Sequence, residues 1–345
     1  MAIASILTPL AACGSGTGGG ADGDHDPVKL SFVTAFPKDH ALNDGFFMFT
    51  KALEEKAPWI EVEYRGGPET MEPNVMIEGV TSGAVDGAHL PGDYYVEQVP
   101  SLEIARFTPY TPSQEREEGV SDLWGQIHDD AGLHYVGHSI SGIPQVLLLK
   151  DEVNEPNLKG KSVRVSSATS NMVKSLGGTP VDLPGGEIYT ALERGVIDGA
   201  AWTSVGAVDL GIDELVSYDM SPRFYESLAN TVINKDTWDS LDQETQDVIS
   251  ETMEESEPKI FDYFSEMSTK ETQQWRDAGV EELKFEGKDA QKILDIAYRD
   301  AWGELDWDRI SSKGPEAQEI RDSFEGAYGD DLTKSVPGGA AAPTK

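Results

Sequence analysis

The sequence predicts an α/β protein of two lobes, and three observations support this prediction. Segments with strand and helix periodicity alternate along the chain, which is typical of a mostly parallel sheet packed against helices. The length of 345 residues suits two domains of roughly 150 residues each. A six-residue pattern also occurs twice, as expected if both lobes contain the same helix–turn–strand unit.

The first elements follow from local periodicity. Residues 28–34 place apolar side chains on one face of a strand, and residues 43–57 carry them at helical spacing until Pro58 ends the helix. Residues 62–64 begin a second strand, which the Gly-Gly-Pro turn at residues 66–68 ends. This strand–helix–strand order is the local basis of the expected sheet.

A long helix is predicted over residues 241–278. Ser240 and Gln243 have the spacing of a capping box at its start, and Pro258 is expected to kink it. After Lys334 the chain is rich in Gly, Ala and Pro, which predicts a disordered tail.

The repeated pattern reads Gly-Ala-Val-Asp-Gly-Ala at residues 83–88 and Gly-Val-Ile-Asp-Gly-Ala at residues 195–200. Each copy follows a predicted helix, turns at a glycine and enters a short buried strand. Ligands of open α/β sheets bind beyond the carboxyl ends of the strands. Residues 89–95 and 202–206 are therefore expected on facing walls of one cleft.

Charge and cysteine content exclude several classes of function. The chain has 27 basic and 62 acidic residues, a formal net charge of −35, which disfavours binding to nucleic acids and acidic lipids. Cys13 is the only cysteine, so neither an internal disulfide nor a cysteine-ligated zinc site is expected. His134 and His138 do not form a zinc motif, and the sequence has no P-loop or nucleophile elbow. We therefore expect no metal, no cofactor, no catalytic residue and no nucleic-acid partner.

The amino-terminal segment predicts export and a lipid anchor. Residues 1–12 are apolar, and residues 10–13, Leu-Ala-Ala-Cys, resemble the lipobox of a bacterial lipoprotein. Lipidated Cys13 would hold the protein at the bilayer, with residues 14–26 as a flexible tether. The pattern departs from a secretory signal in having no basic residue before Lys29, and a buried helix with a stray cysteine is the alternative.

Five segments, in order, resemble one family of transport proteins. Residues 158–165 read Leu-Lys-Gly-Lys-Ser-Val-Arg-Val, residues 176–181 read Leu-Gly-Gly-Thr-Pro-Val, and residues 187–199 end in Gly-Val-Ile-Asp-Gly. Residues 35–40, and residues 83–87 together with 91–95, are similar to the same family nearer the start. These motifs are similar to those of the DctP-like substrate-binding subunits of tripartite ATP-independent periplasmic (TRAP) transporters, here in a lipoprotein form.

The resemblance spans residues 28–332. It implies a two-lobed periplasmic-binding-protein-like fold with a hinge, a ligand cleft between the lobes and a long kinked helix. The predicted division of the chain is a lipoprotein signal and lipobox (1–13), a flexible tether (14–27), lobe I (28–141 plus about 228–268), lobe II (142–227 plus about 269–332) and a disordered tail (333–345).

Arg164 is the strongest candidate for ligand binding. It lies in the apolar strand Ser-Val-Arg-Val-Ser at residues 162–166, where a charge is costly unless it has a partner. That partner could be a nearby acidic side chain or a bound ligand. The resemblance favours the ligand, because the arginine of this strand is the family's carboxylate anchor, and arginine binds carboxylates through two parallel hydrogen bonds.

Aromatic residues are the next candidates. Tyr94 and Tyr95 follow a Pro-Gly turn, where one ring could line the cleft or cover the edge of the core. Trp202 stands where many relatives carry an asparagine that contacts the ligand. An apolar or stacking wall would replace that polar contact, which disfavours heavily hydroxylated ligands.

Three further residues complete the predicted site. Gln145 stands where relatives often have a second polar or cationic ligand contact, and a neutral amide there favours a monocarboxylate over a dicarboxylate. Phe36 and His40 fall in the first strand–helix loop, at the rim of the cleft or in the core.

The sequence therefore predicts an extracytoplasmic solute receptor of a TRAP transporter, attached to the outer face of the cell membrane. The resemblance implies that it closes on a small organic anion, mainly a monocarboxylate, and delivers it to the membrane permease subunits without performing chemistry. A solute-binding lipoprotein of an ABC importer and an exported, surface-tethered enzyme are the alternatives.

Overall fold

The computed structural model of the protein describes residues 25–329, Asp331 and Thr333. Within this part of the chain, nine strands form one sheet. They are β1 (Val28–Thr34), β2 (Ile60–Gly66), β3 (Gly87–Pro91), β4 (Leu133–Leu149), β5 (Ser162–Val165), β6 (Thr179–Asp182), β7 (Gly199–Thr203), β8 (Tyr218–Asn234) and β9 (Glu281–Lys284).

Helices connect and cover these strands. They are α1 (Asp44–Lys56), α2 (Met76–Thr81), α3 (Pro112–Glu117), α4 (Val120–Asp129), α5 (Ser167–Ser175), α6 (Ile188–Glu193), α7 (Lys235–Ser240), α8 (Gln243–Asp277), α9 (Gly287–Leu294), α10 (Ala301–Gly303), α11 (Trp307–Ile310) and α12 (Glu316–Tyr328). The chain also contains a 3-10 helix (Pro100–Phe107) and a π-helical turn (Asp295–Asp300).

The sheet consists of two similar halves joined by long strands. Its order is β2-β1-β3-β8-β4-β7-β5-β6, with β9 on β8. The outer trios β2-β1-β3 and β6-β5-β7 are parallel, whereas the contacts of β3 with β8, β8 with β4, and β4 with β7 are antiparallel. The predicted two-lobed α/β fold is confirmed, but the sheet is mixed at its centre, because the 17-residue strands β4 and β8 pair with each other and extend into both halves.

The repeated pattern has the same structural role in both halves. In one half, Asp86 accepts a hydrogen bond from the backbone N–H of Ser31 on β1 at 2.8 Å. In the other half, Asp198 accepts one from the backbone N–H of Ser162 on β5 at 2.7 Å. Each aspartate thus ties the turn before the third strand to the first strand of its trio. The following glycine has no room for a side chain, since a Cβ on Gly199 would lie 2.4 Å from a backbone oxygen of β4.

The predicted first strand and first helix agree with the structure, whereas the predicted start of the long helix does not. The kink at Pro258, which lies inside α8, stays a prediction. The first strand spans residues 28–34 as predicted, and α1 lies within the predicted 43–57 segment. The long helix begins at Gln243 because the Asp242 side chain accepts from the Thr245 N–H, so the predicted Ser240 capping box is wrong. Ser240 instead ends the preceding helix α7.

The last helix packs on the first half of the sheet. The Tyr328 hydroxyl in α12 donates to the carbonyl of Phe107 at 2.7 Å, and α12 contacts α4. Both partners belong to the range predicted as lobe I, whereas α12 falls within the range predicted as lobe II. The predicted lobe boundaries stay predictions.

The predicted signal, the lipobox with Cys13 and most of the tether and tail lie outside the described residues. Within residues that the structure does describe, no helix is long and apolar enough to cross a bilayer.

Candidate ligand-binding site

A cavity lies where the carboxyl ends of β3, β5 and β7 meet the long strands β4 and β8. Its volume, measured as the space open to the centre of a water molecule, is about 80 Å³. One water needs about 10–15 Å³ by that measure. Residues 91–94 and 202–203 both line the cavity, as the repeated pattern predicted. The space suits one small organic molecule.

Arg164 is a buried cation in the cavity wall, with 4% of its surface exposed. Its Nε donates to the carbonyl of Leu183 at 2.9 Å, and its Nη1 donates to the carbonyl of Ala201 at 3.2 Å. Among the described residues, no carboxylate oxygen lies within 4.0 Å of its nitrogens. A direct ion pair with a nearby acid, which the sequence left open, is therefore absent from this part of the chain, and Asp182 and Asp93 act on Arg164 only at longer range.

The charge of Arg164 is only partly compensated by its surroundings. Burial lowers the pKa of Arg164, and the Tyr94 hydroxyl, Asp182 and Asp93 oppose that shift. Burial also raises the pKa of the Asp93 carboxyl, and Ser166, Arg106 and Arg164 oppose that shift. A carboxylate in the cavity would supply the missing negative charge, and the planar guanidinium has donors left to bind it.

Aromatic rings form the wall next to Arg164. The guanidinium carbon lies 5.0 Å from the centroid of the Trp202 ring, within the range of a cation–π contact. Trp202 and Phe36 line the cavity. His40 does not line it but lies behind both rings, stacked on Phe36 at 5.1 Å and edge-on to Trp202 at 6.5 Å. Phe36 thus lines the cavity, whereas His40 contacts the wall from the core side.

The two tyrosines have different positions. Tyr94 is half-buried and lines the cavity. Tyr95 is buried away from the cavity, where its hydroxyl contacts His128 at 3.0 Å and accepts from Asn230 at 2.6 Å. The pair separates because Tyr95 packs into the core, so only the Tyr94 part of the prediction fits the cavity.

A neutral amide and a buried acid line the cavity from β4 and β8. The Gln145 amide donates to the Ser227 hydroxyl at 2.9 Å. Glu226 accepts from the N–H of Gly142 through one oxygen, while its other oxygen has no hydrogen-bond partner. Burial raises the pKa of Glu226 well above its ordinary value. An ionised Glu226 would need a donor or cation from the cavity, whereas a protonated one could itself donate.

The described residues contain no cluster of three or more histidine, cysteine or acidic side chains suited to a metal ion. If a cation entered the cavity, Glu226 and Gln145 could each offer it an oxygen ligand. Neither residue alone forms a metal site.

Sequence reasoning missed several polar residues of the cavity wall, among them Arg106, Glu226 and Asn230. Glu226 carries the same signal that identified Arg164, a charged side chain within a buried strand. Arg106 belongs to the 3-10 helix Pro100–Phe107, whose pattern predicts nothing about a cleft. Asn230 resembles any polar residue of a strand until its neighbours are known.

The fold and the cavity between the halves of the sheet define a solute-binding receptor. Residues 32–300 match the sequence model described as bacterial extracellular solute-binding protein, family 7 (DctP). The chain belongs to this family. The predicted resemblance to the substrate-binding subunits of TRAP transporters is confirmed, as is the function of solute receptor.

Individual relatives agree with this assignment. A monocarboxylate 2-oxoacid-binding periplasmic protein of Nostoc is 24% identical over 266 residues, which cover 72% of this chain and 71% of the relative. A TRAP periplasmic solute-binding protein of Desulfovibrio salexigens, solved with orotic acid, has a TM-score of 0.76 at 18% identity and covers 87% of this chain and 98% of its own. An extracytoplasmic solute receptor of Bordetella pertussis that binds pyroglutamic acid has a TM-score of 0.75 at 18% identity, covering 86% and 99%.

Proposed function

We propose that this receptor binds a small organic monocarboxylate through Arg164 and delivers it to the membrane permease subunits of a TRAP transporter. The observation that carries the proposal is a buried guanidinium at the cavity wall without a carboxylate within 4.0 Å among the described residues. A buried cation of this kind is costly unless the ligand pairs with it.

The shape and chemistry of the cavity narrow the ligand class. The volume of about 80 Å³ favours a short carbon skeleton, and Trp202 and Phe36 offer it an apolar surface. Gln145 supplies a neutral amide at its position, while Arg106 places a second guanidinium, besides that of Arg164, in the cavity wall. The Nostoc relative is named for binding monocarboxylate 2-oxoacids, and we propose short 2-oxo or 2-hydroxy acids as the first ligands to test.

Hinge closure is the proposed response to the ligand. Among the hydrogen bonds that join the two predicted lobes, two lie near the mouth of the cleft: Ala41 N–H donates to Asp209 at 2.7 Å, and the Ser167 hydroxyl donates to the Asp93 carbonyl at 3.3 Å. Both would break if the lobes separated. A ligand bound between the lobes would stabilise the closed form, which the permease would recognise.

The proposed location is the outer face of the cell membrane, through lipidated Cys13. The lipobox pattern at residues 10–13 supports this anchor. We further propose that the protein performs no catalysis, since the cavity offers binding groups for an anion and the relatives described above are receptors.

A thermal-shift screen of organic acids, followed by titration calorimetry, tests the function. A ligand at 100 times its Kd stabilises the folded state by about 2.7 kcal/mol. We expect short monocarboxylates to raise Tm and to bind with one ligand per chain. Nuclear magnetic resonance of the ligand after incubation distinguishes an enzyme, which would convert it, from a receptor, which would leave it unchanged. No response to any organic acid would contradict the proposal.

A further inference from the structure

A chain of buried hydrogen bonds runs from the cavity wall into the core. Asn230 lines the cavity and is 3% exposed. Its amide nitrogen donates to the Tyr95 hydroxyl at 2.6 Å, and its amide oxygen lies 3.0 Å from Nδ1 of His138. The atoms that Asn230 presents to the cavity therefore depend on two core side chains that do not themselves line it.

The Tyr95 end of this chain has a defined direction. His128 Nδ1 lies 2.7 Å from the carbonyl of Trp124, so Nδ1 carries a proton. Burial lowers the pKa of His128 to about 4, and its Nε2 is therefore an acceptor at neutral pH. Tyr95 donates its hydroxyl proton to that nitrogen at 3.0 Å and accepts from Asn230. The Asn230 amide must therefore turn its NH₂ group, and not its oxygen, toward the Tyr95 hydroxyl.

If Glu115 is a carboxylate, the other end of the chain requires a proton on each ring nitrogen of His138. Nδ1 faces the amide oxygen of Asn230, and Nε2 lies 2.9 Å from a carboxylate oxygen of Glu115. Glu115 is 1% exposed, and its second oxygen accepts from the Thr108 hydroxyl at 2.6 Å. Both partners of His138 are acceptors, so the ring donates twice and is an imidazolium.

We propose that this protonated His138, held between Glu115 and Asn230, fixes how the Asn230 amide is presented to the bound ligand. His138 is then a positioning residue, and Asn230 a ligand contact. The ligand role rests on the proposed function of carboxylate binding.

If His138 lost its proton, neither orientation of the Asn230 amide would keep all of its hydrogen bonds. The Glu115 carboxylate is a stronger acceptor than the Asn230 amide, so the neutral ring would keep its proton on Nε2. With the amide as it stands, its oxygen would then face an unprotonated Nδ1 and lose a hydrogen bond. With the amide reversed, its oxygen would face Tyr95, whose single proton already binds His128. Either outcome removes a hydrogen bond or reverses the group at the cavity wall, so ligand affinity should fall as His138 is deprotonated.

The charges around His138 favour the protonated ring. Burial alone would lower its pKa, but the Glu115 carboxylate, Glu257 and Asn230 together raise it above the ordinary value. Glu257 on α8 accepts from the backbone N–H of His138 and pairs with Arg116 of α3. The remaining titratable groups near the ring are Tyr135 at 5.6 Å between ring centroids, His128 on α4 and Tyr95.

The first experiment needs no ligand. Nitrogen-15 NMR of histidine-labelled full-length protein should show both ring nitrogens of His138 protonated at pH 7. In Glu115→Gln, which removes the charge and keeps the shape, the His138 ring should be neutral at the same pH. A neutral His138 in the wild type at pH 7 would overturn the proposal, and this measurement stands even if the variant does not fold.

The second experiment measures affinity from pH 6 to pH 9 by calorimetry, with pyruvate or the acid that gives the largest thermal shift. The wild-type Kd should weaken by about threefold to tenfold as His138 loses its proton. Glu115→Gln should bind weakly and without this pH dependence. His134→Gln is the control, because His134 lies four residues earlier on β4, stacked on Trp238 and outside the cavity, and should keep the wild-type profile.

Failure of the role proposed for His138 and failure of the proposed function would give different results. A constant wild-type Kd over this range, with His138 shown to be losing its proton, would overturn the role of His138 while the receptor still binds. No binding of any acid would overturn the proposed function and the ligand role of Asn230, while the NMR spectrum would still report the charge of His138.

Discussion

Replacement of Arg164 tests the site most directly. In Arg164→Ala the ligand carboxylate would enter a buried site without its cation, while the carbonyls of Leu183 and Ala201 would lose their donors. Removing one partner of a buried, hydrogen-bonded charge pair costs about 2–5 kcal/mol. That corresponds to a Kd weakened by about 30-fold to about 4,000-fold.

The conservative variant separates charge from geometry. Arg164→Lys keeps a cation but loses the planar fork and its contact with the Trp202 ring. We therefore expect it to bind weakly as well, with an affinity between those of the wild type and the alanine variant. Arg194→Ala, at an exposed position after α6, is the matched control and should bind as the wild type does.

Titration calorimetry with the same monocarboxylate measures all four proteins, and unliganded melting curves check that each is folded. The alanine variant should fold, because its substitution also removes a buried charge that lacks a carboxylate partner in the described structure. Undiminished binding by folded Arg164→Ala would refute the assignment of Arg164 as the carboxylate anchor.

Further predictions concern stability, salt and location. Burial lowers the pKa values of the His89 and His128 rings from 6.5 to about 4. Between pH 6.5 and pH 4 the unfolded chain therefore binds more protons than the folded protein. The free energy of unfolding, measured by denaturant, should fall as pH drops through this range. Gly199→Ala should destabilise the protein by about 1–3 kcal/mol, because the new Cβ would lie 2.4 Å from the Leu148 carbonyl oxygen. At a net charge of −35, both Tm and the ligand association rate should rise from dilute buffer to about 1 M NaCl, as melting and stopped-flow series would measure. Cys13→Ser should release the exported protein from membranes, as fractionation and mass spectrometry would show.

Each of these predictions has an outcome that contradicts it. A constant free energy of unfolding from pH 6.5 to 4 would show that the buried histidines do not control acid stability. Gly186→Ala is the control for Gly199→Ala, since a Cβ there meets nothing within 4 Å, and equal losses would disprove the clash. A flat Tm with an association rate that falls with salt would show that local positive steering outweighs the net charge. An unmodified Cys13 in mature protein would exclude the anchor.

The fold was predictable to the extent that it depends on local pattern. The first strand and α1 follow from periodicity over a few residues, and the repeated Asp-Gly pattern correctly indicated two similar halves. The antiparallel centre of the sheet was not predictable in this way, because the direction in which β4 and β8 pair is a contact between distant segments. The start of α8 was missed for a different reason, since Ser240 and Asp242 both resemble helix caps and packing selected the second.

The sequence by itself determined the family and the acidity, and it identified Arg164 as the candidate anchor of the ligand, because a charge within an apolar strand is unusual wherever that strand packs. Only the tertiary structure decided which side chains share the cavity with Arg164. It separated Tyr94 from Tyr95, and it joined Glu115, His138 and Asn230, of which the last two are 92 positions apart in the chain. Burial and hydrogen-bond partners are properties of that assembled neighbourhood, so the protonation of His138 and the orientation of the Asn230 amide exist only once distant strands and helices have packed together.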